Sequence, residues 1–106
     1  MRLAEEKTIP TRAGSSPLPL EDAEDLSIQV PEWILEDNKI VREYKLKDFK
    51  SAIDFVNDVA DIAETEDHHP DICISYNKVK LELSTHKIGG LSRNDFILAA
   101  KIDKLL

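Results

Sequence analysis

Around Tyr76-Asn77 apolar and polar residues alternate in both directions, with Ile72 and Ile74 before the pair and Val79, Leu81 and Leu83 after it. Joined by a two-residue loop, the flanking segments oppose positions that sum to 153. That register sets Ile74 against Val79, Ile72 against Leu81 and Pro70 against Leu83. A slip of one residue would send every apolar side chain to the opposite face. The pattern therefore predicts an antiparallel hairpin whose polar face carries Lys78, Lys80, Glu82 and Ser84. Continued past its open end, the same register opposes His69 to Ser84 and His68 to Thr85, with His86 one step beyond. Opposed side chains sit about 5 Å apart, so all three histidines of the chain are expected to converge there.

The other elements follow from periodicity. Trp33–Glu36 and Lys39–Leu46 read as two strands around Asp37-Asn38, a register that opposes Glu36 to Lys39 and Leu35 to Ile40. From Asp48 to Glu66, Phe49, Ala52, Ile53, Val56, Ala60 and Ala63 recur at helical spacing, and Phe55, Val59 and Ile62 widen the stripe. Pro70 biases His69 away from helical geometry, so this helix should end by the histidine pair. Gly89-Gly90 makes a turn, and Ser92 caps a last helix whose Phe96, Ile97, Ala99 and Ala100 oppose Lys101 and Lys104. Glu21–Leu26 reads as a short helical turn, and Trp33 and Tyr76 as packing residues. The order is ββαββα: an α+β, two-layer domain with a four-stranded antiparallel sheet and helices packed on one face. Residues 1–20, with Pro10, Gly14, Ser15, Ser16, Pro17 and Pro19 and no periodicity, read as a flexible or loosely docked arm before a domain spanning 21–106.

Charge and cysteine usage narrow the function classes. A formal net charge of −7 argues against a nucleic-acid partner, which demands a basic face. The single cysteine, Cys73, fits a reducing compartment. No apolar stretch approaches the roughly 20 residues of a membrane helix, and the start, Met1-Arg2-Leu3-Ala4-Glu5-Glu6, turns acidic at once. A cytoplasmic protein is expected.

Three clustered imidazoles suit either proton transfer or metal binding, since histidine titrates near neutrality. Zinc accepts three such ligands. Adjacent residues on an extended segment point to opposite faces, however, which disfavours His68 and His69 as joint ligands.

The wider spacing resembles a known family. Glu64-x3-His68-His69-Pro70-x5-Tyr76-x9-His86-x8-Asp95 is similar to the signature of the pterin-4a-carbinolamine dehydratases. The likeness extends to Tyr76-Asn77-Lys78-Val79, Ser84-Thr85-His86, Gly90-Leu91-Ser92 and Asp95-Phe96…Ala99-Ala100. Pro31-Glu32-Trp33 looks like the family's Pro-Gly-Trp, with Glu32 in place of the usual glycine. The resemblance covers about residues 20 to 106.

It implies dehydration of 4a-hydroxytetrahydropterin, formed by aromatic amino-acid hydroxylases, to quinonoid dihydropterin and water. The step needs a base at N5 and an acid at the C4a hydroxyl, roles open to imidazoles with ordinary pKa of about 6.5. By resemblance His68 and His86 are the acid/base pair, with their individual roles open, and His69 positions the pterin. Glu64, one helical turn before His68, is expected to orient that ring or favour its charged form, and is counted with the substrate-binding residues. Pro70, Thr85 and Lys87 border the pterin, and Asp95 supports the Gly89-Gly90 loop at the helix start. Glu66 and Asp67 read most simply as solvated helix-end charges. The resemblance implies no metal and no cofactor, and a homodimer or homotetramer. Other members of the fold are protein-binding factors, a transcriptional dimerisation cofactor and RuBisCO assembly chaperones among them. Such a non-catalytic role is the alternative reading, although the chaperone-like members are expected to have lost histidines that this chain keeps.

Overall fold

The computed structural model describes residues 2–106. In chain order it contains α1 (Leu20–Ser27), β1 (Ile34–Glu36), β2 (Lys39–Lys45), α2 (Phe49–Glu66), β3 (Asp71–Ser75), β4 (Lys78–Leu83) and α3 (Arg93–Asp103). Single 3-10 turns stand at Leu3–Glu5 and His86–Ile88. The four strands form one antiparallel sheet in the order β1-β2-β4-β3. The α+β architecture is the one expected, with one short helix, α1, placed before the first hairpin.

Both hairpins keep the predicted register: Glu36 faces Lys39, Leu35 faces Ile40, Ile72 faces Leu81 and Ile74 faces Val79. Val79, Leu81 and Leu83 are fully buried while Lys78 and Lys80 are exposed, so alternation sorts β4 into a core face and a polar face. Tyr76 takes the left-handed backbone position of the turn (φ 53°) and is 67% exposed, so it does not pack as expected.

Asp48 caps α2 by accepting the Ser51 N–H at 2.8 Å. The buried line of α2 is Ala52, Phe55, Val59 and Ala63. The stripe is thus centred on the residues expected only to widen it, and Phe49 and Ala60 face outward. In α3 every residue from Asn94 to Ala99 is buried, well beyond an amphipathic stripe.

The N-terminal segment adds to this burial by packing along α3. Leu3 is 1% exposed within the core cluster, and its N–H donates to Gln29 Oε1 at 3.0 Å. Lys101 Nζ donates to the Ala4 carbonyl at 2.9 Å. Arg93 grips Glu6 with two hydrogen bonds of 2.8 and 2.6 Å. One apolar anchor and a row of polar ties thus cover the side of α3 away from the sheet. At the far end of the segment a Cβ on Gly90 would stand 2.8 Å from Pro17 Cβ, so this close approach requires glycine.

At the opposite end of α3, Asp103 Oδ1 accepts from Trp33 Nε1 and Arg42 Nη1, each at 2.9 Å, and from the Tyr44 hydroxyl. The Arg42 guanidinium lies 4.2 Å from the Tyr44 ring centroid. Trp33 is a packing residue, as expected, at 3% exposure.

Candidate active site

The histidine pair is placed by the way α2 ends. Asp67 adopts the left-handed conformation (φ 52°, ψ 44°), and its N–H returns to the Ala63 and Glu64 carbonyls. The His68 N–H also bonds the Ala63 carbonyl, at 3.1 Å. This is the left-handed helix stop usually supplied by glycine or asparagine. It holds His68 against the helix end instead of releasing it into a strand. The expected pairings of Pro70, His69 and His68 with Leu83, Ser84 and Thr85 therefore do not form, and the ladder stops at Asp71–Glu82. Thr85 pairs with Gly90 instead.

His68 and Thr85 still meet, through a third residue. Asp95 is fully buried. Its Oδ2 accepts the Ser92 N–H and the Thr85 hydroxyl, each at 2.9 Å, and its Oδ1 lies 2.5 Å from His68 Nε2. An ionised carboxylate only accepts, so Nε2 is assigned as the protonated nitrogen and Nδ1 is the one left for chemistry. Asp95 thus closes the first turn of α3 through the Ser92 N–H and also holds the His68 ring. Glu64, expected to orient His68, lies beside His69 instead, with Oε2 2.5 Å from Nε2 in an exposed pair. The Thr85 hydroxyl is committed to Asp95 and to Ser92 Oγ, 2.7 Å away, so Thr85 serves Asp95 before any ligand. His86 directly follows Thr85, is exposed, and makes no side-chain hydrogen bond among the described residues. Pro70 is half-buried and Lys87 exposed. No three His, Cys, Asp or Glu side chains are grouped to hold a metal ion among the described residues.

Beside this arrangement lies a cleft of about 330 Å³ lined by Lys7–Pro10, Thr65–Asp67, Lys87 and Asn94. Its Glu66 is not a free helix-end charge. Oε1 accepts the Thr8 N–H at 3.0 Å, and Oε2 lies 3.9 Å from Lys101 Nζ. Sequence reasoning missed Lys7–Pro10, Glu66 and Asn94, because no local pattern links a segment before residue 11 to residues 58 and 85 positions away.

A sequence profile described as pterin 4 alpha carbinolamine dehydratase matches residues 16–105. The chain belongs to that family. A candidate pterin-4-alpha-carbinolamine dehydratase of Halorhodospira halophila is 45% identical over 107 residues, covering 99% of this chain and 98% of the relative. One from Nitrosomonas eutropha is 48% identical, covering 98% and 93%. Among solved structures, a transcriptional coactivator/pterin dehydratase from Brucella melitensis superposes with a TM-score of 0.79 at 29% identity. That match covers 85% of this chain and 98% of the other. Membership fits the sequence signature, and the profile starts beyond the docked residues 2–11. No helix among the described residues is long and apolar enough to cross a membrane.

Proposed function

We propose that this chain dehydrates 4a-hydroxytetrahydropterin to quinonoid dihydropterin by histidine acid/base catalysis, recycling the pterin of aromatic amino-acid hydroxylases. The observation that carries the reading is the Asp95 carboxylate, which ties His68 to Thr85 and so to the His86 turn. With Nε2 held, His68 offers Nδ1 in a fixed ring orientation, and His86 offers an unengaged imidazole. One takes the N5 proton and the other gives a proton to the C4a hydroxyl. The C4a–O bond breaks, the N5–C4a double bond forms, and water leaves. Holding two such groups against the substrate at once is the main contribution a small domain can make. His69, tied to Glu64, positions the ring system, with Pro70 and Lys87 beside it.

The test follows quinonoid dihydropterin formation by the purified chain and by His86→Ala. A rate no faster than the spontaneous reaction with the native chain would overturn the reading. The name of the Brucella structure, which couples a coactivator to a dehydratase, favours one second reading, a non-catalytic protein-binding factor. An inactive chain that retains a stoichiometric protein partner would support it.

A homodimer or homotetramer belongs to the same proposal. It is supported by the outer strand β3, whose Ile72 is 38% exposed, and by Phe49, 52% exposed on α2. Light scattering that gives the monomer mass at micromolar concentration would exclude it. The free thiol of Cys73 supports a cytoplasmic setting.

A further inference from the structure

We propose that Thr8 and Ile9 are positioning residues for His68: they staple the end of α2 to the start of α3 and so fix the approach of the His68 ring to Asp95. The proposal rests on the dehydratase reading and concerns how that site is held together.

The staple consists of two adjacent residues, each bonded to a different helix. Thr8 holds Glu66, the last residue of α2, at two points. Its N–H donates to Glu66 Oε1 at 3.0 Å, and its hydroxyl donates to the Glu66 carbonyl at 2.5 Å. That carbonyl lies in the last turn of the helix, where α2 itself supplies no donor. Asn94, in the first turn of α3, clasps both main-chain groups of Ile9. It accepts the Ile9 N–H at 3.0 Å and donates to the Ile9 carbonyl at 2.6 Å. The family profile begins at residue 16, so the staple lies outside the portion it matches.

Both staple points adjoin the histidine site. Only the left-handed Asp67 separates Glu66 from His68, and Asp95 directly follows Asn94. Thr8, Glu66, His68, Asp95, Asn94 and Ile9 therefore close a circuit in which every link is a hydrogen bond or a short stretch of chain. Opening it at Thr8 or Ile9 loosens the end of α2 against the start of α3, at the level of the His68–Asp95 bond. The direct tie left there, from Lys101 Nζ to Glu66 Oε2, is a longer 3.9 Å. Leu3, Ala4 and Glu6 keep their own partners, so the segment stays docked when one staple bond is cut. Displacing a reacting group by about 1 Å is enough to slow a reaction severely.

The test pairs steady-state kinetics with NMR of the His68 Nε2–H, the proton held by Asp95, in the full chain. Ile9→Pro deletes the N–H that Asn94 accepts, and the Ile9 side chain is 71% exposed, so the core loses no contact. Thr8→Val deletes the hydroxyl on Glu66. In both variants kcat is expected to fall, by about tenfold in Ile9→Pro, with KM within about twofold of native. The His68 signal should move upfield and broaden as its bond to Asp95 loosens, while the amides of β4 keep native protection. Thr8→Ser, which keeps a hydroxyl, and Ile9→Ala, which keeps the N–H, should restore both readouts. A staple that serves stability alone would leave kcat and the His68 signal native in the folded variants. That result overturns the inference and leaves the dehydratase reading standing. A native chain without turnover overturns both.

Discussion

His68 and Asp95 stand 27 positions apart in the chain and meet at 2.5 Å, with Nε2 against Oδ1. The same carboxylate closes the first turn of α3 through the Ser92 N–H and holds the Thr85 hydroxyl. A residue that starts a helix therefore also fixes the ring and tautomer of a histidine at the end of another helix. Asp95→Asn is expected to keep one acceptor for Ser92 and Thr85 while presenting an amide N–H to a ring nitrogen that donates. Such a variant should fold with a loss of about 1–3 kcal/mol and lose at least about tenfold in kcat. Denaturant titration and steady-state kinetics on the same preparation check the two parts. Native kcat in a folded Asp95→Asn would show that His68 needs no orienting partner.

The left-handed Asp67 decides where His68 lies. A β-branched side chain is strained in that conformation, so Asp67→Val should cost more than about 1 kcal/mol and redirect the chain as it enters the histidine pair. Asp67→Gly accepts the conformation without strain, but adds freedom to the unfolded chain, so its stability should stay within about 1 kcal/mol of native. In steady-state kinetics the kcat of Asp67→Gly is expected to exceed that of Asp67→Val. The reverse order would break the link between the helix stop and the site.

The parts of this structure legible in sequence are those set by neighbours along the chain. Period-two alternation gave the register of the second hairpin, since one face of the sheet is buried and a slip is costly, and the two-residue loop at Asp37-Asn38 gave that of the first. Extrapolation fails one residue past Asp71, where His68 obeys the helix stop of α2 rather than the hairpin. The stripe of α2 is misplaced by periodicity because Phe49, Ala60 and Phe55 are all apolar, and only the packing partner chooses among them. Docking of Leu3 and the clasp of Asn94 on Ile9 are invisible for a related reason. A Pro- and Gly-containing segment carries no periodicity, and its anchors bond across 26 and 85 positions. For the site, spacing marks Asp95 as a member of the motif but not as the partner of His68.

Asp103 gathers three donors from the first hairpin, two of them on the buried residues Trp33 and Tyr44. Asp103→Ala should destabilise the fold by about 2–4 kcal/mol, since it leaves an indole N–H, a phenol and a guanidinium without their acceptor. Burial first, and then the Asp103 carboxylate, push the Tyr44 phenol well above its ordinary value of 10. Its contribution is therefore complete below that value and falls as pH rises above it, because the unfolded phenol ionises first. Tyr44→Phe should flatten the alkaline limb of the stability profile measured by chemical denaturation. An alkaline limb identical in the two proteins would assign it to other groups.

Glu6 holds the N-terminal segment through Arg93, and that hydrogen-bonded guanidinium keeps its carboxyl below the ordinary 4.5. A lowered carboxyl stabilises the docked segment above its unfolded value, and the contribution is lost as pH falls through the folded value. The pair is partly exposed, so its effect on docking should stay at or below about 1 kcal/mol. Amide protection factors at Leu3–Ile9, relative to the core amides of β4, should therefore fall between about pH 6 and pH 3 in the native chain. Glu6→Gln should show reduced protection at the upper pH and little further change on acidification. A native segment whose relative protection ignores pH over that range, or a Glu6→Gln profile that follows the native one, would mean that Leu3 and Asn94 hold the segment without this ion pair.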